Sequence, residues 1–186
     1  MAAALKSDGP PDDPKTKLLS RLIERYKVGE EVVITKPGKR IATIPADSAR
    51  TPRTFLDTNI LLYCDDPSNL SKQRRALELV LEHRSKRTGV VSLQVLQEYF
   101  VNATRKLGLD PGLARQKVEA YARFEVVEPV TRDILAAIDF HRLHRVSYWD
   151  ALVLHCARKS GCRVVLTEDL QHGQEFDGVK IVNPFI

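Results

Sequence analysis

From Arg53 onward, short runs of β-type apolar residues alternate with longer stretches of helical period, and this alternation constrains the fold more than any other feature. "TFL", "GVVS", "EVVEPV", "RVVLTED" and "VKIV" have the length and β-branched character of strands. Between them lie helical segments: Ser71 to Arg84, "LQVLQEYFVNATRKL" closed by Gly108, a stretch opened by Asp110 and Pro111 that runs to about Phe124, "TRDILAAIDFHRL", and "SYWDALVLHCARKS" ended by Gly161. Strands that alternate with helices pair in parallel, because a parallel pair needs a long crossover to bring the chain back. An α/β domain with a mainly parallel sheet is therefore expected over residues 51–186.

The first 50 residues have a different character. Gly9, Pro10, Pro11, Asp12, Asp13 and Pro14 oppose both helix and strand, so residues 1–14 read as a disordered tail. Residues 15–50 read as a small helix-hairpin segment and linker. A short amphipathic helix carries Leu18, Leu19, Leu22 and Ile23, two strands meet across "KPGK", and "DSARTPR" forms the linker. Alone this segment is too small for much of a core.

Composition narrows the function classes. The formal charge is +5, but residues 51–186 carry 19 Lys/Arg against 17 Asp/Glu, so the larger part lacks the basic blanket of a protein that binds polyanions by charge alone. Cys64, Cys156 and Cys162 are odd in number and form no C-x-x-C pair, which argues against a disulfide framework or a zinc knuckle. They suit a reducing cytoplasm. No apolar run reaches the roughly 20 residues of a membrane helix, and the start has no secretory pattern, so a soluble cytoplasmic protein without a membrane partner is expected.

The chemistry rests on acids at particular places. "FLDTNILLY" ends an apolar strand in Asp57, and "VVLTED" ends another in Asp169. Glu98 follows the second strand within its helix, and Asp150 lies near the start of the helix that opens at Ser147. In an open parallel sheet the ligand crevice lies beyond the carboxyl ends of the strands, so four carboxylates can converge there. Each acid alone reads as a helix cap or a solvated charge, and the coincidence of four favours a site. Close carboxylates stay ionised only when cations neutralise them, and hard oxygen donors suit Mg²⁺ or Mn²⁺. Such an ion polarises a phosphate and activates water, which is phosphodiester hydrolysis chemistry.

"FLDTNILLY", "VVSLQVLQEYF", "SYWDALVLHCA" and "VVLTEDLQHGQEFDGVKIVNPF" resemble, in order, the motif blocks of PIN-domain ribonucleases, specifically the VapC-type toxins of bacterial toxin–antitoxin systems. The resemblance implies a three-layer α/β/α sandwich and Mg²⁺- or Mn²⁺-dependent endoribonuclease activity. It places the acidic quartet on Asp57, Glu98, Asp150 and Asp169, with Asn59 and Thr167 in support. Asp57 and Asp150 are the expected direct metal ligands, and Glu98 and Asp169 bind through water, hold a second ion or orient the attacking water. Glu168 is an alternative to Asp169 within "TED". RNA is the implied substrate, a cognate antitoxin the implied partner, and a homodimer the implied assembly.

Residues 17–46 are similar to the helix–strand–strand part of Phd/YefM-type antitoxins, without that module's first strand. Two other readings compete with the ribonuclease. One is a catalytically inactive module that contacts DNA or an antitoxin through the N-terminal segment. The other is a haloacid-dehalogenase-like phosphatase, whose chemistry wants an Asp where this chain has Asn59. Of the remaining residues, Trp149 reads as core with base stacking as the alternative, and His141, His144 and His155 read as surface or satisfied core groups. His172 is placed beside the crevice. "HRSKR" from His83 to Arg87 reads as a solvated helix face, with contact to RNA phosphates as the functional alternative.

Overall fold

The computed structural model describes the backbone of residues 32–36 and 39–44, and residues 52–186 with their side chains. The chain divides into two units, residues 1–51 and 52–186. In the first unit, β1 (Val32–Lys36) and β2 (Lys39–Ile44) pair antiparallel, with a register shift between Ile34 and Thr35. The expected tail, the amphipathic helix and most of the linker lie outside the described residues.

The second unit is built on a six-stranded sheet of order β5-β4-β3-β6-β8-β7. Its strands are β3 (Thr54–Leu56), β4 (Gly89–Ser92), β5 (Glu125–Val127), β6 (Val164–Leu166), β7 (Glu175–Phe176) and β8 (Val179–Val182). All neighbours pair in parallel except β7, which runs antiparallel to β8. Six helices connect them: α1 (Thr58–Tyr63), α2 (Leu70–Ser85), α3 (Leu93–Arg105), α4 (Pro111–Tyr121), α5 (Thr131–His144) and α6 (Tyr148–Lys159).

Every residue of β3 and β4 is buried. Successive strand residues point to opposite faces, so burial of all of them means that both faces of the sheet are covered. The second unit is thus the expected three-layer α/β/α sandwich. Phe55, Leu56, Val90, Val91, Val165 and Ile181 form the centre of the core, and Cys64, Cys156 and Cys162 are buried free thiols within it. Gly161 takes φ +74° to end α6, a conformation open to glycine at little cost. Among the described residues no helix is long and apolar enough to cross a membrane.

Three elements differ from the sequence reading. Residues 58–63 form a short helix that the apolar run "NILLY" concealed. The loop around Gly173 leads directly into the two-residue strand β7. Helix α4 stops at Tyr121, three residues before Phe124, because Phe124 turns back to cover Gly89 at the start of β4.

One polar clamp joins two helices. Asp133 is buried and accepts hydrogen bonds from the Val130 N–H at 2.8 Å, from Lys159 Nζ at 2.5 Å and from His155 Nε2 at 3.1 Å. It fastens the first turn of α5 to α6, and it satisfies His155 as the sequence reading expected. The Lys159 ammonium and the Val130 N–H hold the Asp133 carboxyl well below its usual range. A depressed carboxyl stabilises the fold above the unfolded value of about 3.9, and that contribution is lost as pH falls toward the folded value. Asp133→Ala should lower the unfolding free energy at neutral pH by about 2–3 kcal/mol, since it strands three donors. In urea titrations the wild type should lose stability below about pH 4 more steeply than the variant.

Candidate active site

The chain runs outward from β3 to β4 and β5, then returns to lay β6 on the other side of β3. Such a reversal of strand order leaves a crevice at the carboxyl ends, because the connections on either side depart in opposite directions. Leu56 pairs with Leu166 across the two strands, and the Asp57 N–H donates to the Leu166 carbonyl at 3.1 Å. Asp57 and Thr167 therefore leave the sheet side by side at the reversal. Thr167 Oγ1 donates to Asp57 Oδ2 at 2.7 Å, while the Thr58 N–H at the start of α1 donates to Asp57 Oδ1 at 2.7 Å.

Asp57 is only 7% exposed. Burial pushes its carboxyl up to about 7, opposed by the Thr167 and Thr58 hydrogen bonds and assisted by the negative charges of Asp169 and Glu98. Those two acids are tied in by polar groups on either side. Asn59 Nδ2 donates to Thr167 Oγ1 at 3.0 Å and to Asp169 Oδ2 at 3.1 Å, with a longer contact of 3.5 Å to Asp57 Oδ2. Thr58 Oγ1 donates to Glu98 Oε2 at 2.7 Å, and Gln94 Nε2 donates to Glu98 Oε1 at 2.8 Å. One network thus links Asp57, Glu98, Asp169, Asn59 and Thr167.

Two positions stand apart from it. Glu168 turns to Lys72 Nζ at 2.5 Å and to the Tyr63 hydroxyl, so within "TED" it is the Asp169 carboxylate that meets Asn59. Asp150 lies in the first turn of α6 and is held locally, with Ser147 Oγ donating to Asp150 Oδ2 at 2.6 Å and accepting from the Asp150 N–H at 3.1 Å. Among the described residues, no hydrogen bond joins Asp150 to the other three acids. Thr58 and Gln94 were not picked out in the sequence. The available signals were the hydroxyl directly after Asp57 and the four-residue spacing of Gln94 from Glu98, which puts both on one helix face.

The donor set has a defined chemical preference. The Asn59 Oδ1 and Gln94 Oε1 atoms are buried without a hydrogen-bond partner among the described residues, so two amide oxygens stand unsatisfied beside three carboxylates. Leaving a buried acceptor unmade is costly, and burial disfavours the ionised Asp57 carboxyl. Hard oxygens without nearby thiolate or imidazole suit a divalent cation of the Mg²⁺ or Mn²⁺ type. Among the described residues no group of three or more His, Cys, Asp or Glu side chains stands ready to hold an ion. Thr58, Asn59 and Thr167 occupy positions between the carboxylates.

A cavity of about 330 Å³ opens beside this network, lined by Asn59, Tyr63, Glu98, Asn102, Lys106 and Asp169 among others. Trp149, expected in the core, is instead 59% exposed. It precedes the stripe Ala151–Leu154 that is buried in the core, and its ring meets Tyr148 edge-on. His172 Nδ1 accepts from the Asn183 N–H at 3.1 Å and so ties the loop after β6 to the C-terminal segment.

Known proteins share this arrangement of strands and helices. A toxin from Mycobacterium tuberculosis, VapC20, described as cleaving the sarcin–ricin loop, superimposes with a TM-score of 0.53 at 20% identity, over 62% of this chain and 91% of that one. A toxin–antitoxin complex from Klebsiella pneumoniae gives 0.52 at 20% identity, over 71% and 98%. A DNA-bound VapBC from Salmonella typhimurium gives 0.52 at 22% identity, over 70% and 97%. No curated protein matches the sequence. The family model of the PIN domain matches residues 54–174, which include β3 with Asp57, the helix that carries Glu98, the start of α6 and the loop of Asp169. The chain belongs to the PIN-domain family.

Proposed function

We propose that this protein is a metal-dependent endoribonuclease and the toxin component of a toxin–antitoxin system. The observation that carries the reading is the network joining Asp57, Glu98 and Asp169 at the strand reversal, with unsatisfied amide oxygens among them. Membership of the PIN-domain family and the likeness of fold to toxins of VapBC systems support it. Asp57 and Asp150 are the proposed direct ligands of Mg²⁺ or Mn²⁺, with Glu98 and Asp169 acting through water, on a second ion, or on the attacking water. When bound, the ion supplies a water of lowered pKa and offsets charge on the phosphate oxygens. Thr167 and the Thr58 N–H aim the Asp57 carboxylate, and Asn59 couples it to Asp169. Lys106, in the wall of the adjoining cavity, offers an ammonium to a backbone phosphate of the bound RNA. A cognate antitoxin and a second copy of the chain are the proposed protein partners.

Asp57→Asn keeps the shape of the buried side chain and removes its charge. Cleavage of RNA by the purified full chain in Mg²⁺ or Mn²⁺ should fall by at least about a hundredfold. Retention of wild-type turnover would place the site elsewhere. Above its folded value of about 7 the ionised Asp57 is a cost to the fold, because burial favours the neutral acid. The variant should therefore melt no lower than the wild type at pH 8 without metal.

Metal binding also has a readout that does not involve turnover. Millimolar Mg²⁺ or Mn²⁺ should raise the melting temperature of the wild type by linkage, and this rise should vanish in Asp57→Asn. A metal-induced rise of equal size in both proteins would show that the ion binds somewhere other than the acidic network.

Expression of the full chain in a bacterial host should arrest growth, and Asp150→Ala should relieve the arrest. Equal inhibition by both forms would separate the phenotype from the acidic site.

A further inference from the structure

The basic run from His83 to Arg87 lies at the amino end of the sheet, opposite the carboxylates. Helix α2 delivers His83 and Arg84 in its last turn, and Arg87 follows in a left-handed conformation at φ 54°. Arg53 precedes β3, Arg123 lies between α4 and β5, and Glu125 opens β5. These six side chains line a cavity of about 320 Å³. Its floor is Gly89 under the Phe124 ring, so closely packed that a Cβ on residue 89 would lie 2.6 Å from the ring. Four of the six side chains are arginines.

Local structure accounts for only part of this charge. Arg53 is ion-paired with Glu125, and Arg84 Nη1 donates to the Ala120 carbonyl in the last turn of α4 at 3.3 Å. His83 Nδ1 is engaged with Thr88 Oγ1 at 2.8 Å. Arg87 and Arg123 have no carboxylate partner among the described residues, and neither hydrogen-bonds through its side chain there. The carboxyl ends of α2 and α4 contribute about half a negative charge each, and Glu125 contributes one more. Four guanidinium groups around one cavity therefore leave an excess of roughly two positive charges.

We propose that this cavity binds a phosphate group, either from a nucleic-acid backbone or from a free nucleotide, at a place separate from the acidic crevice. The excess charge matches a phosphate, and the planar fork of arginine grips phosphate oxygens in pairs where a lysine acts as a point charge. Because Arg87 sits on a turn and Arg123 on a connection between elements, both guanidinium groups can close on a ligand without moving the sheet. The proposal does not depend on the nuclease reading, since none of its residues belongs to the acidic network.

Pyrophosphate is the first probe, titrated by calorimetry into the full chain in EDTA so that no cleavage occurs. The wild type should bind it, and the pair Arg87→Asn with Arg123→Gln should weaken binding by at least about tenfold. Asn tolerates the left-handed backbone at position 87, and unchanged melting would exclude a folding defect. If the pair lowers the melting temperature, Arg123→Gln alone serves under the same criterion. A short labelled RNA in EDTA distinguishes the two sources. For a nucleic-acid ligand, the salt dependence of RNA binding should flatten by a slope of about 0.7 in the double variant, the change expected for one lost phosphate contact. For a free nucleotide, ATP should displace pyrophosphate while RNA binding stays as in the wild type. Failure of pyrophosphate to bind the wild type, or equal binding by wild type and variant, would overturn the proposal.

Discussion

The pairing of β3 with β6 at the point where strand order reverses is the contact on which the rest of the site depends. It brings Asp57 beside Thr167 although they are 110 residues apart in sequence. The Asp57 N–H continues the ladder to the Leu166 carbonyl, so the last bond of the sheet also places the first acid. Everything polar in the crevice hangs from that pair. Thr167 aims Asp57, Asn59 from α1 reaches both Thr167 and Asp169, and Thr58 extends the network to Glu98. Loss of the strand pairing would scatter the acids among separate loops.

Electrostatics gives the sheet a direction. Its carboxyl end gathers Asp57, Glu98 and Asp169, with burial raising the Asp57 carboxyl and its neighbours adding to the rise. Its amino end gathers Arg53, Arg84, Arg87 and Arg123 around one cavity. Helix polarity is part of the cause, since crossover helices in a parallel sheet start near the strand carboxyl ends and finish near the amino ends. A base at a helix end is favoured by less than about 1 kcal/mol, as for Arg84 in the last turn of α2, whereas among the described helices only α5 and α6 carry an acid in the first turn. The near balance of 19 basic against 17 acidic residues after position 50 conceals this separation completely.

How much was legible depended on whether a property is local. The strands "TFL", "GVVS" and "VKIV" stand where apolar alternation put them, because β-branched runs flanked by turn residues have few other uses. The cap Asp110, the helix start at Ser147 and the terminator Gly161 were readable for the same reason. Helix α1 escaped notice because six apolar and polar residues after a strand carry no helical period of their own. Trp149 was misplaced because an aromatic beside an apolar helix is usually buried, and only the packing shows that this one stays outside the core.

The sequence by itself determined the α/β alternation, the parallel sheet that follows from it, and the presence of acids after strands and at helix starts, since these arise from interactions between near neighbours in the chain. Tertiary structure alone decided which of those acids share a hydrogen-bond network. It turned Asp169 toward Asn59 and Glu168 toward Lys72, left Asp150 bonded to Ser147, and stranded the amide oxygens of Asn59 and Gln94. It also closed four dispersed arginines around one cavity. The reason is physical: hydrogen bonds and charges act over a few ångströms, and which groups come that close is set by strand order and packing, which no local stretch of sequence encodes.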